Sequence, residues 1–170
     1  VIVKQQVGNT YVSEIHNQYK EFNGILQKSA VFQKKGDGII TAQNTDRKIV
    51  YNSYDAKGNI TQYTPENGAP VAIIWGYNSQ YPVAKLEGII YDDAKNKLGS
   101  YLSKIENGTL TNDEQKALRL LIPEAMITTY VYKPLVGVTT ITGPNGMSEF
   151  YKYDEAGRLQ EIRNDKQEVL

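Results

Sequence analysis

A chain of 170 residues with 19 Lys and Arg against 19 Asp and Glu carries no net charge at pH 7. This argues against nucleic acid or an anionic membrane surface as partner, since both select a basic face. With 40% hydrophobic and 22% charged residues the sequence is a folding one; it has no Cys, hence no disulfide framework or thiolate chemistry, and no apolar run long enough to insert in a membrane.

Taken in chain order, Val1, Ile2 and Val3 read as the middle of a strand, so the segment is expected to be part of a larger protein. Residues 9–19, 25–34 and 39–42 alternate enough to be strands, with Asp37-Gly38 as a hairpin dipeptide. Tyr54-Asp55-Ala56-Lys57-Gly58-Asn59-Ile60 then gives a strand end, a turn and a strand start. Asp accepts hydrogen bonds from nearby backbone amides, and Gly takes the positive φ of a tight reversal. Asn67-Gly68 marks the next turn, and residues 77–86 repeat the Tyr54 frame in degenerate form.

Residues 92–122 break the β pattern. Leu98, Tyr101, Leu102 and Ile105 form an amphipathic stripe, with Asp92-Asp93 at its start and Asn107-Gly108 as its stop. Thr111-Asn112-Asp113-Glu114 is a capping box, followed by Leu118, Leu121 and Ile122 and ended by Pro123. The expectation is an insertion of two short helices that braces one face of the sheet, the sharper alternative being a docking surface for a partner. After it the frame returns at Tyr132, Asn145-Gly146 makes a turn, and Tyr153-Asp154-Glu155-Ala156-Gly157-Arg158-Leu159 repeats the Tyr54 segment closely. Asn164-Asp165 opens another turn, and Glu168-Val169-Leu170 reads as a further strand.

The four tyrosines, Tyr54, Tyr77, Tyr132 and Tyr153, recur with a period of about 22 residues, broken once by an insertion of about 33. An aliphatic residue stands six places after each: Ile60, Val83, Val138 and Leu159. Each unit is a β-hairpin that cannot cover its own apolar face, so the fold class is mostly β, an array of antiparallel hairpins in a curved continuous sheet.

Tyr153-Asp154, Gly157, Arg158 and Leu159, with Tyr54, Asp55, Gly58, Tyr77 and Tyr132 in the same frame, resemble the YD repeat of RHS-type bacterial proteins. The blocks 74–85 and 129–137 are similar to versions found in surface proteins of the Bacteroidetes. The resemblance implies a non-catalytic shell or scaffold in a secreted or cell-surface protein, with neighbouring repeats of the same chain as partners. Some members enclose a toxic module, and others are thought to bind surface carbohydrate or serve in adhesion. Surface glycan and secretion machinery are therefore the alternative partners, and an exported secretion substrate is a further reading.

The residues themselves give little chemistry. His16 shares a strand face with Glu14, too few ligands for a metal and too few groups for acid–base catalysis. Adjacent Asp92 and Asp93 point in different directions on a helix, and suit its dipole instead. No catalytic residue, metal site or cofactor is expected. Tyr51, Tyr54, Tyr63, Trp75, Tyr77 and Tyr81 offer cross-strand packing, or a sugar-stacking platform centred on Trp75, Tyr77 and Tyr81.

Overall fold

The computed structural model describes residues 1–36, 46–66 and 68–170. The strand expected at 39–42, the Asp37-Gly38 turn and Asn67 lie outside the described residues. The chain divides into two compact units, Val1–Pro70 and Val71–Leu170.

The first unit holds β1 (Ile2–Val7), β2 (Thr10–Phe22), β3 (Ile25–Lys35), β4 (Arg47–Tyr54) and β5 (Ile60–Pro65), each pairing antiparallel with the next. The long β2–β3 hairpin reverses at Asn23-Gly24, both at positive φ (50° and 78°). Those are the angles a two-residue turn needs to match the strand twist, and Asn-Gly is its favoured dipeptide. No helix covers this sheet among the described residues, and its buried hydrophobic core is small, Ala30 and Phe32.

The second unit holds β6 (Val71–Gly76), β7 (Tyr81–Glu87), α1 (Tyr91–Leu98), α2 (Tyr101–Glu106), α3 (Asn112–Leu121), β8 (Met126–Lys133), β9 (Gly137–Thr142), β10 (Ser148–Tyr153) and β11 (Leu159–Arg163). The strands again pair antiparallel in chain order. The helices lay Ala94, Leu98, Ile105, Leu118 and Ile122 onto Ala72, Ile74, Val83, Ala84, Leu86 and Ile127, which makes one dry core on one side of the sheet.

The insertion contains three helices, not two. The apolar stripe is continuous through Leu98 and Tyr101, but Gly99 takes φ 49° and ψ −119°, a backbone state that ends α1 and restarts the chain in a new direction. A side-chain pattern cannot register that break, because the glycine has no side chain. The capping box at α3 forms as expected: Thr111 accepts from the Glu114 amide, and the Glu114 carboxylate accepts from the Thr111 amide. Asp92 and Asp93 lie in the first turn of α1.

Candidate functional site

The repeat has a consistent physical form at the joints between hairpins. Tyr54 pairs with Ile60, Tyr132 with Val138 and Tyr153 with Leu159, each with the residue six places on. At each of these tyrosines the register slips by one residue. Such a bulge leaves one residue without a partner and increases the local twist. The bulged residues are Thr61, Thr139 and Gln160. Thr61 is 3% exposed, and its hydroxyl meets that of Ser53 at 2.7 Å.

The fourth tyrosine differs. Tyr77 lies one residue beyond β6, inside the turn, and the slip falls at Trp75, which pairs with Pro82. Trp75 therefore stands where the other hairpins have tyrosine. With no glycine in this turn, Tyr77, Asn78 and Ser79 themselves take left-handed conformations (φ 49°, 60° and 59°). The Gln80 amide closes the loop onto the Gly76 carbonyl at 3.0 Å.

The aspartates of the repeat are turn residues. Asp55 Oδ1 accepts from the amides of Lys57 and Asn59, and Asp154 Oδ1 from those of Ala156 and Arg158. Burial pushes the Asp55 carboxyl up, but hydrogen bonds from Asn59 and Lys57 outweigh it and hold the group below its usual range. Asp154 is held low first by the Arg158 amide. Gly58 and Gly157 supply the positive φ (84° and 75°) that completes each turn. Asn164 repeats the arrangement, accepting from Lys166 and Glu168, although Gln167 must then take φ 66°.

The hydroxyls of Tyr54 and Tyr153 each reach back into the hairpin before their own. Tyr54 donates to the carbonyl of Lys28 (2.7 Å), and Tyr153 donates to the carbonyl of Val138 (2.9 Å). Lys28 pairs with Tyr19 just ahead of the register slip of β2–β3, and Val138 holds the same place in β8–β9. The tyrosine thus caps a carbonyl beside a bulge, where ladder bonding is disrupted. A Cβ at Gly137 would sit 2.5 Å from the Tyr153 hydroxyl, so the close approach requires glycine there.

Tyr77, Tyr81 and Tyr132 form a cluster of their own. Tyr81 and Tyr132 stack at 4.8 Å, and Tyr77 meets both edge-on. The Tyr77 hydroxyl donates to the Tyr132 carbonyl (3.1 Å) and accepts from its amide (3.0 Å); the Tyr81 hydroxyl accepts from the Leu135 amide. Burial raises the Tyr132 phenol above its ordinary value. Tyr77 and Tyr132 pack against the helix-side core. Ile74 and Gly76 also face the helices, so alternation directs Trp75 to the opposite face of β6. The structure does not gather Trp75, Tyr77 and Tyr81 on one surface.

A polar hub lies outside anything the sequence signalled. Arg119 on α3 donates to the carbonyls of Gly143 (2.9 Å), Gln115 (2.7 Å), Ile127 (3.1 Å) and Thr142 (2.9 Å), and to Gln115 Oε1 (3.0 Å). Gln115 Oε1 also accepts from the buried Thr129 hydroxyl, and Thr142 meets Ser148 at 2.9 Å. Burial lowers the pKa of Arg119. Its neutral oxygen partners tie α3 to β8, to β9 and to the β9–β10 turn. An arginine on a predicted helix reads as solvent-exposed, so nothing in the sequence flagged this role.

The His16–Glu14 pair forms at 2.6 Å, with Lys4 at 3.5 Å from the same carboxylate. The hydrogen bond from His16 holds Glu14 below its ordinary pKa. A concavity of about 640 Å³ lies between the β9–β10 turn and the turn at Asn164, lined by Ile141, Pro144, Met147 and Leu170 among others. Among the described residues no helix is long and apolar enough to cross a membrane.

No family model and no curated protein matches the chain. Solved structures align with it at low identity. A TcdB2-TccC3 crystal structure without its hypervariable C-terminal region aligns over 95% of this chain (11% identity, TM-score 0.48). TcdB2-TccC3-Cdc42 aligns over 99% (9% identity, TM-score 0.49), as does a Photorhabdus luminescens Tc holotoxin pore with a TccC3 mutation (9%, 0.47). The chain spans only 8–9% of the length of those chains.

Proposed function

We propose that this chain is a non-catalytic structural segment of a hairpin array, one YD-repeat stretch of a larger secreted or cell-surface protein, with neighbouring repeats as its partners. The observation that carries the reading is the hairpin joint. In both units a strand-ending tyrosine caps the carbonyl beside the preceding hairpin's bulge, Tyr54 on Lys28 and Tyr153 on Val138. Such a joint binds each hairpin to the one before it and can be repeated without limit, which suits a scaffold. The polar groups in the joints are engaged by backbone, which leaves them to shape turns. The secreted or cell-surface setting, and any role in toxin delivery, come with the sequence resemblance and belong to the proposal.

The test is a duplication. A second copy of residues 126–163 is inserted after Arg163, and urea unfolding is compared with the parent chain. A repeat scaffold accepts the extra hairpins, with a steeper denaturant dependence and no loss of midpoint, because surface exposed on unfolding grows with length. A duplicated chain that aggregates or melts at lower urea would reject the reading.

A further inference from the structure

The described residues contain three Asn-Gly dipeptides, Asn23-Gly24, Asn107-Gly108 and Asn145-Gly146. In such a pair the backbone amide that follows can attack the asparagine side chain with little hindrance, because glycine puts no Cβ in the way. As sequence the three are equivalent. The structure separates them.

Gly108 donates its amide to the Ile105 carbonyl (3.1 Å), and Gly146 donates to that of Gly143 (2.9 Å). Both glycines are half-buried; a Cβ on Gly108 would sit 2.3 Å from the Tyr77 hydroxyl, and one on Gly146 would touch Arg119. Gly24 differs on each count. Phe22 and Ile25 pair across the turn, so the Gly24 amide stands outside the ladder and meets no acceptor among the described residues. Asn23 and Gly24 are both exposed, and a Cβ on Gly24 would meet nothing within 4 Å. An amide that is bonded and packed cannot turn onto its neighbour's side chain, whereas one that is unbonded in open space can.

The same asparagine fastens a joint. Asn23 Nδ2 donates to the Tyr54 carbonyl at 2.9 Å, a contact between residues 31 apart in the chain. Tyr54 in turn donates its hydroxyl to the Lys28 carbonyl and sets its ring 4.9 Å from that of Phe22. The tip of β2–β3 and the end of β4 are thus held by reciprocal bonds, and the Asn23 amide supplies one of them.

We propose that Asn23-Gly24 is a self-modifying site, which deamidates in the folded chain and thereby releases the β2–β3 tip from β4. The exposed bond to Tyr54 opens first. The Gly24 nitrogen, its proton passed to water, then bonds to Asn23 Cγ; the Cγ–Nδ2 bond breaks, and Nδ2 takes up a proton and leaves as ammonia. Water opens the cyclic imide at either carbonyl, giving aspartate or an isoaspartyl link. Nothing is oxidised or reduced, and water is the only co-reactant. Either product replaces the Nδ2 donor by a carboxylate, which cannot donate to the Tyr54 carbonyl. The isoaspartyl link also lengthens the main chain inside a two-residue turn, whose geometry sets the pairing of its strands. The proposal does not rest on the scaffold reading, since the duplication above can succeed or fail whichever asparagine reacts.

The 170-residue chain is incubated in warm, mildly alkaline buffer, folded and in urea, and the three sites are followed by peptide mass spectrometry. In the folded chain Asn23 should convert several-fold faster than Asn107 or Asn145, and in urea the three rates should converge. Asn23→Asp installs the first product directly, and Asp-Gly suits the same turn, so this variant isolates the loss of the bond to Tyr54. Its hydrogen exchange should be faster at the β2–β3 tip and the end of β4, and unchanged in residues 71–170. The proposal is overturned if Asn23 does not lead in the folded chain, if its lead persists in urea, or if Asn23→Asp exchanges like the parent.

Discussion

Phenylalanine would fill the space of Tyr54 or Tyr153, but only a phenol reaches the carbonyl beyond it. Such contacts are one use this chain makes of tyrosine, of which it has 13 against 3 Phe. Removing the Tyr54 hydroxyl leaves the Lys28 carbonyl beside a bulge without its donor, so Tyr54→Phe should cost about 1 kcal/mol in urea unfolding. Tyr77→Phe loses two bonds to Tyr132 and should cost about 2 kcal/mol. Equal, negligible effects would show that packing alone holds these joints. The Asp–Gly turns were legible because each requirement falls on a side chain of fixed type: an acceptor at Asp55 or Asp154, a permissive backbone at Gly58 or Gly157. The bulges and carbonyl caps were not legible, because a register slip leaves no mark in composition. Frame-matching by spacing therefore chose Tyr77, where the structure has Trp75.

Tyr151 adds a titration at the same scale. Its hydrogen bond to the Glu149 carboxylate, with burial second, raises the phenol from 10.0 to about 12. A raised folded value means that the contribution is fully present below the ordinary tyrosine range and is lost as pH climbs through about 12. Absorbance titration of the phenolate should therefore show Tyr151 among the late-ionising tyrosines, and Glu149→Gln should move one late step back toward the ordinary range. A wild-type curve unchanged by Glu149→Gln would refute the assignment.

At the scale of elements, the helical insertion is fixed from two sides. Its apolar stripe builds the dry core, as the period of Leu98, Tyr101, Leu102 and Ile105 foretold. Its orientation over β8–β10 rests on Arg119, a fork of donors that no other side chain reproduces. Arg119→Met keeps the aliphatic stem but leaves several carbonyls near the β9–β10 turn without partners, at a cost of about 3 kcal/mol. Arg119→Lys should recover only part of this, since one ammonium cannot reach the carbonyls of Ile127, Thr142 and Gly143 together as the guanidinium fork does. Hydrogen exchange should localise the loss to α3 and the β9–β10 turn. Uniform loss across β6–β11 would mean that Arg119 acts through the core instead. Sequence missed the hub because its partners are backbone oxygens brought together only by the fold.

For the molecule as a whole, the two units differ in what each can support by itself. Residues 71–170 contain a core of twelve buried apolar side chains shared by strands and helices. Among the described residues of 1–70 only Ala30 and Phe32 are buried as core, while Val3, Val7, Tyr11, Tyr19 and Leu26 are exposed. A sheet without a covering layer gains little from hydrophobic burial, and strands without a packed face are marginal in water. Expressed separately, residues 71–170 should unfold cooperatively with heat, whereas residues 1–70 should show a shallow, uncooperative transition. Near-ultraviolet circular dichroism gives the second readout: the 71–170 fragment should keep a structured tyrosine signal from the Tyr77, Tyr81 and Tyr132 cluster, and the 1–70 fragment should not. A cooperative 1–70 fragment would mean that hairpin joints such as Tyr54 on Lys28 stabilise a bare sheet far more than single hydrogen bonds are worth. The scaffold would then be held by its joints, and not by the helical core.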